Sequence, residues 1–236
     1  MEKTRHIVSF SGGKDSTAML FMMMEKGLRI DEVLFCDTGM EFPAMYAHIA
    51  RVQKRLNLKI TILRPEKPFE YYLAHHIKTM GKYKGERGYG WPGHIYRWCT
   101  NLMKAKPSRQ YLKNIPHILY LGITADEKHR LERPENKKKH YRFPMIDWNI
   151  TGPQALEYCK ARGFNWNDLY KKFPRVSCWC CPLQSQTSLK ILFTDYPALW
   201  KELKRLDSLS YREFSTKFSI PDLEKKFNLT KGGQHG

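Results

Sequence analysis

What most constrains the fold of this chain is an alternation. Short apolar or β-branched runs at 7–10, 32–35, 59–63 and 118–121 are separated by stretches of helical period at about 15–27, 43–55 and 99–113. A repeated strand–helix–strand order is satisfied by a parallel sheet with helices on both faces, so the sequence predicts a doubly wound α/β domain over residues 1–145. Beyond it the pattern turns helical, at 153–161, 167–172, 188–193, 197–206 and 211–218. This predicts a helical C-terminal lobe over 146–236, packed on the first domain and carrying a cysteine cluster. Ligands of such sheets bind outside the carboxyl ends of the strands, where Ser11-Gly-Gly-Lys-Asp-Ser16 and Cys36-Asp37-Thr38-Gly39 both fall.

The first of these turns carries chemistry. A strand, two glycines and a helix start place backbone N–H groups around a concavity that attracts phosphate. Gly12 and Gly13 let the backbone approach an anion, Lys14 adds charge, and Ser11 and Ser16 offer hydroxyls. Asp15 repels phosphate unless a Mg²⁺ ion stands between them. The loop is too short for G-x-x-x-x-G-K-[ST], which excludes a Walker-type loop.

The charge balance adds a partner. With 41 Lys and Arg against 23 Asp and Glu the chain carries +18, which points to a polyanion. Two clusters, Lys82-Tyr-Lys84-Gly-Glu-Arg87 and Lys137-Lys-Lys-His-Tyr-Arg142, interleave tyrosine with cations, a composition suited to phosphate contact and stacking. Residues 80–96 are aperiodic and rich in glycine and aromatics, and read as a mobile substrate loop. Neither a signal-peptide core nor a run of about 20 apolar residues is present, so no membrane partner and a cytoplasmic location are expected.

In a reducing compartment the six cysteines are read for metal or sulfur chemistry rather than for disulfides. Cys178 and Cys181 form a C-x-x-C pair, and Cys99 lies 79 residues earlier. Iron–sulfur ligation and zinc both fit this set, with Cys180 or a histidine completing a zinc site. Cys36 and Cys159 have no partner in sequence and read as small buried apolar residues.

The Ser11–Ser16 loop after a first strand resembles the signature of the PP-loop ATP pyrophosphatases. Further segments resemble, in order, the phosphoadenylylsulfate (PAPS) reductase-like branch: Cys36-Asp37-Thr38-Gly39 with Glu41-Phe-Pro43, Arg97-Trp-Cys99-Thr100 with Lys104, and Gly122-Ile-Thr-Ala-Asp126-Glu127 with Arg130. Pro144-Met-Ile-Asp147-Trp148 and Arg175-Val-Ser-Cys178-Trp-Cys-Cys181-Pro182 complete the series, which covers about residues 5–205. The resemblance implies an adenine nucleotide alpha hydrolase-like fold that uses ATP and Mg²⁺. Ser11, Gly12, Gly13 and Ser16 would hold the pyrophosphate end of ATP, and Asp15 would hold Mg²⁺. Lys14 would stabilise charge on the α-phosphate as pyrophosphate leaves, so that Lys14 and Asp15 are the catalytic pair. It adds Asp37, Gly122 and Asp126 to the nucleotide site, although Asp37 also reads as a turn residue and Asp126 with Glu127 as an N-cap and acidic first turn. Relatives with a [4Fe–4S] cluster use a cysteine pair aligned with Trp98-Cys99 plus the C-x-x-C pair, which makes Cys99, Cys178 and Cys181 the matched metal ligands.

PP-loop chemistry splits ATP between its α- and β-phosphates and leaves an acceptor oxygen as an AMP ester, which a sulfur nucleophile can displace. The Cys178-Trp-Cys-Cys181-Pro182 segment resembles the ATP pyrophosphatases of DNA phosphorothioation systems (DndC-like or SspD-like). The expected function is therefore adenylation of a nucleic-acid oxygen for replacement by sulfur, with DNA favoured over tRNA and a cysteine desulfurase as sulfur donor. The alternatives are tRNA base thiolation, a sulfonucleotide (PAPS or APS) reductase, a sulfate adenylyltransferase-like enzyme and a non-catalytic nucleic-acid-binding scaffold. The ending Thr230-Lys-Gly-Gly-Gln-His-Gly, without the E-C-G-L-H of reductases, speaks against the reductase. The intact glycine loop speaks against the scaffold.

Overall fold

The computed structural model describes residues 3–56 and 59–232; most of the C-terminal ending just quoted lies outside them. Five parallel strands, β1 (Arg5–Ser9), β2 (Glu32–Cys36), β3 (Ile60–Leu63), β4 (His117–Leu121) and β5 (Tyr141–Arg142), form one sheet in the order β3-β2-β1-β4-β5. The α-helices are α1 (Lys14–Glu25), α2 (Pro43–Leu56), α3 (Trp98–Thr100), α4 (Lys106–Leu112), α5 (Pro144–Asp147), α6 (Gly152–Ala161), α7 (Leu169–Lys172), α8 (Gln186–Asp195), α9 (Pro197–Leu209) and α10 (Ile220–Gly232). The chain divides into two compact units. The first comprises Met1–Asp37, Phe42–Arg64 and Lys106–Leu169, and the second Thr38–Glu41, Pro65–Ala105 and Tyr170–Gly236.

The first unit holds the sheet, and its strands β1–β4 stand where the apolar runs predict them. Val8 is opposite Val33 on one side and Tyr120 on the other. Buried on both faces, the central strands need apolar residues throughout, and Ile7, Leu34, Leu63, Leu112 and Leu119 form a core cluster. Helix α1 is buried almost all round, from Ser16 to Phe21 and at Met23, as its unbroken apolar run requires. Strand order reverses between β1 and β4, the position at which doubly wound sheets open a crevice. The sequence does not predict β5, two residues inside the lysine-rich run at the sheet edge, where lysines discourage further pairing. The boundary that the sequence places at 145 falls inside α5, and both α5 and α6 belong to this unit. In α6, Ala155 and Cys159 are buried, and the Cys159 thiol lies 3.5 Å from the carbonyl of Lys14 on α1.

The second unit is helical around an aromatic core. Trp91 is buried, packs edge-on against Phe214 at 5.0 Å, and donates its indole N–H to Asp207 at 2.8 Å. The helix predicted at 211–218 is absent: that stretch consists of bends, with Phe214 buried, and the helix starts at Ile220. Pro221 fixes the start of this later helix, since a proline suits a first turn. Ser219 caps that turn, accepting from the N–H of Asp222 at 3.2 Å. Part of the 80–96 loop is anchored. A Cβ at Gly88, whose φ is +69°, would stand 2.4 Å from the carbonyl oxygen of Leu73, so only glycine fits there. Among the described residues, no helix is long and apolar enough to cross a membrane.

Candidate nucleotide site and thiol cluster

The glycine loop is built by its own hydroxyls. After β1 the chain turns through Gly12 at φ +76° and extends at Gly13, and α1 begins at Lys14. Ser16 donates to the Gly13 carbonyl at 3.1 Å and accepts from the N–H of Ser11 at 3.1 Å, while the Ser11 and Ser16 hydroxyls lie 3.0 Å apart. The result is a closed turn on the end of a twelve-residue helix, whose first-turn N–H groups lack carbonyl partners within the helix and carry the positive end of its dipole.

Glycine at 12 is dictated twice, because a Cβ there would need a left-handed φ and would meet Met45 Sδ at 2.9 Å. The loop is also braced from behind: the indole N–H of Trp166 donates to the Gly12 carbonyl at 2.8 Å, and His48 Nε2 lies 3.0 Å from the Thr17 hydroxyl. The His48 and Trp166 rings are tilted against each other at 4.3 Å. Burial pushes the His48 pKa down to about 3, with a smaller contribution from Arg51. Gly122, just after β4, is packed on the same turn, since a Cβ would stand 3.1 Å from the backbone of Ser16.

Three charged side chains converge beside the loop. Lys14 Nζ is 2.5 Å from Asp15 Oδ1, and the N–H of Gly152 donates to Asp126 Oδ1 at 2.9 Å. A Cβ at Gly152 would lie 2.8 Å from Lys14 Nζ, 3.3 Å from Asp126 Oδ2 and 3.8 Å from Asp15 Oδ1, so this glycine marks where the three meet. Burial raises the Asp15 pKa; Lys14 offsets this in part, while Glu127 and Asp126 add to it. Burial also works against the Asp126 carboxylate, but the Gly152 N–H, the Thr124 hydroxyl and Lys14 outweigh it and hold its pKa below the ordinary value. Two carboxylates gathered at one ammonium suit Mg²⁺, which asks one or two carboxylates of a protein and takes its other ligands from phosphate and water.

Asp37 is engaged differently. It accepts from Tyr46 at 2.8 Å and pairs with Arg64 at 3.3 Å, which ties the end of β2 to α2 and to the residue after β3.

The second unit assembles thiols. The Cys178 Sγ lies 3.6 Å from Glu41 Oε1, itself 3.5 Å from Lys104 Nζ. Burial pushes the Cys178 thiol up to about 12; Glu41, Cys181 and Cys99 push the same way and Lys104 opposes them. Cys180 and Cys181 are likewise raised by burial. Cys180 is buried, at 2 % exposed. The donor set is right in kind for a cluster or zinc but not in placement: among the described residues no three His, Cys, Asp or Glu side chains are disposed to hold a metal ion. Cys159, as expected, is a buried residue, with its thiol pushed up to about 12 by burial. Sequence reading assigns no role to Glu41, Gly152 or Trp166. Glu41 and Cys178 are 137 residues apart and Gly12 and Trp166 are 154 apart, so no local pattern carries either pair.

A five-stranded parallel sheet with a glycine loop at its switch point defines a doubly wound α/β protein. The chain belongs to the phosphoadenosine phosphosulfate reductase domain family, which matches residues 5–184. It is 26% identical over 225 residues to an uncharacterized protein of Methanocaldococcus jannaschii, covering 91% of this chain and 43% of that one. It is 25% identical over 158 residues to adenosine 5'-phosphosulfate reductase 1 of Bacillus subtilis, covering 64% of this chain and 62% of the relative. The chain spans about half the length of the first curated relatives it matches, 43% and 45% for two from M. jannaschii. The crystal structure of a PAPS reductase from Candida auris shares the fold, with a TM-score of 0.50 at 16% identity over 75% of this chain and 82% of that one.

Proposed function

We propose that the protein is an ATP pyrophosphatase that adenylates an oxygen of a nucleic acid, most readily a DNA backbone phosphate oxygen, for replacement by sulfur. The observation that carries this reading is the meeting of Lys14, Asp15 and Asp126 at Gly152, beside an intact glycine loop. The loop N–H groups and the Ser11 and Ser16 hydroxyls would receive the β- and γ-phosphates. The Lys14 ammonium would sit against the α-phosphate as the acceptor oxygen attacks phosphorus, the bond to the β-phosphate breaks and pyrophosphate departs with the electron pair. Asp15 and Asp126 would hold Mg²⁺, which when bound neutralises phosphate charge.

The acceptor, now an AMP ester, would lose AMP to a sulfur nucleophile. That sulfur would come as a persulfide from a cysteine desulfurase, a cellular thiol supplying the two electrons that free it. The +18 charge supports a polyanionic acceptor, and free thiols support a reducing, cytoplasmic setting. A [4Fe–4S] cluster or zinc on Cys99, Cys178 and Cys181 is supported by the kind of donors gathered there and not by their placement, and adenylation needs none of these thiols.

A second reading is favoured by the relative named as a reductase: reduction of a sulfonucleotide in the same site. Pyrophosphate release from Mg²⁺-ATP with single- or double-stranded DNA, with mass spectrometry of digested DNA for phosphorothioate dinucleotides, tests the first reading. Release of sulfite from adenosine 5'-phosphosulfate with a dithiol, and no pyrophosphate from ATP under any acceptor condition, would establish the second instead.

A further inference from the structure

The second unit contains a cavity of about 270 Å³ lined by Tyr89, Tyr96, Arg97, Trp98, Asn101 and Leu102. Three of its walls are rings. Tyr89 lies 5.9 Å from Tyr96 at 66° and 5.9 Å from Trp98 at 33°. Trp98 is 4 % exposed and spends its indole N–H on the Gly90 carbonyl at 2.9 Å, so it offers the cavity an apolar surface. Tyr96, by contrast, is 46 % exposed, and Arg97 and Asn101 stand at the surface beside it. At Asn101 the chain enters a π-helical turn, Asn101–Ala105, a distortion that recurs at functional sites.

The contents of such a cavity can be read from its walls. It falls just below the ~300 Å³ at which clefts for drug-sized ligands begin, which suits one planar heterocycle and excludes a duplex. Tyrosine faces stack on any nucleobase, and a guanidinium at the rim can hold the neighbouring phosphate. The surrounding charge is complementary: between residues 76 and 101 stand Lys78, Lys82, Lys84, Arg87 and Arg97 against the single acid Glu86. The Lys78 ammonium lies 5.2 Å over the ring of Tyr83, on the same loop, and 4.6 Å over that of Tyr211 from the 211–218 stretch, which keeps cation and aromatic surface together.

We propose that this cavity receives one unpaired base of a nucleic-acid strand, stacked on the exposed Tyr96, with Tyr89 edge-on beside it and Arg97 on the adjoining phosphate. The inference rests on the nucleic-acid reading of the function and adds that the strand is engaged single-stranded or with a base turned out of the helix, as enzymes that must reach into a duplex require.

Equilibrium binding of a short single-stranded DNA carrying one 2-aminopurine tests it. Binding should change the 2-aminopurine fluorescence, the same sequence as a duplex should bind more weakly, and Tyr96→Ala should weaken single-strand binding about tenfold or more. Tyr96→Phe keeps the ring and should bind like the parent. Because Tyr96 is exposed, the folded state of each variant can be confirmed by circular dichroism before binding is read. If the DNA binds but the fluorescence is unchanged and Tyr96→Ala binds as tightly as the parent, the cavity is not a base site while the nucleic-acid reading stands. If the protein binds no single- or double-stranded DNA or RNA at low salt, both fall together.

Discussion

Gly152→Ala separates the chemistry of the site from its stability. Gly152 is the first residue of α6 and its φ is not positive, so alanine is allowed by the backbone. Alanine's preference over glycine within a helix, roughly 0.5–1 kcal/mol, is opposed by the ring of Pro153, which disfavours a helical residue with a Cβ before it, so the folded state should change little. The added methyl, however, would stand 2.8 Å from Lys14 Nζ and 3.3 Å from Asp126 Oδ2. A carbon and an ammonium nitrogen rest at about 3.5 Å or more, so one must retreat by roughly 0.7 Å. The flexible end of Lys14 is the one that yields. A displacement of about 1 Å at a reacting centre costs on the order of a hundredfold in rate, equivalent to about 2.7 kcal/mol of transition-state stabilisation. The expected result is a melting temperature close to that of the parent, with pyrophosphate release from Mg²⁺-ATP reduced towards that of Lys14→Ala. Parent-like release by Gly152→Ala, with Lys14→Ala inactive, would show that the ammonium acts from another position and refute the argument.

The remaining expectations follow from other parts of the two units. Gly12→Ala forces a left-handed alanine against Met45 and Ile49 and should lower stability by roughly 2–4 kcal/mol in urea unfolding, against a near-neutral Gly93→Ala, where a Cβ meets open space. Trp166→Phe leaves the buried Gly12 carbonyl without its donor and should cost about 1–3 kcal/mol, with a raised KM for ATP. The folded-state pKa of His48, about 3, lies below the unfolded value of about 6.5, so the folded state resists a proton that the unfolded chain accepts. Its contribution to stability is whole above pH ~6.5 and is lost as pH falls towards 3; urea midpoints should drop across that window less steeply in His48→Gln. Anaerobic purification followed by metal analysis addresses the thiols: absorbance near 400 nm abolished by Cys178→Ser would mark a cluster, zinc at stoichiometry a structural site, and neither a purely thiol cluster.

What the sequence shows of this molecule is what local physics writes. The period of the apolar runs places β1 to β4, and two glycines between a strand and a helix place the anion turn, because both depend on residues a few positions apart. Pro221 was equally local evidence, and a helix drawn across 211–218 misses that Ser219 and Pro221 start a new one at Ile220. The lost information is long-range. Asp126 reaches Gly152, Glu41 reaches Cys178 and Trp166 reaches Gly12 only once the sheet and helices have brought them there. A glycine ahead of Pro153 reads as a helix start, and nothing nearby says that its missing side chain is the space occupied by Lys14.

The brace behind the glycine loop shows why this long-range order is kept. Trp166, Asn167 and Asp168 have φ of +50°, +49° and +64°, three successive non-glycine residues in the left-handed region. Asn and Asp adopt this region more readily than other side chains, so the cost falls mainly on Trp166, roughly 1–2 kcal/mol that the rest of the unit must offset. It does so by burying Trp166 against His48, by closing the indole hydrogen bond to Gly12, and by burying Leu169 immediately afterwards. A relaxed right-handed turn would send the indole elsewhere and leave a carbonyl unpaired beneath the anion turn. On the proposed function, the strain would hold rigid a segment whose N–H groups need to be aimed before a phosphate arrives, since donors that reorganise during the reaction stabilise its transition state less.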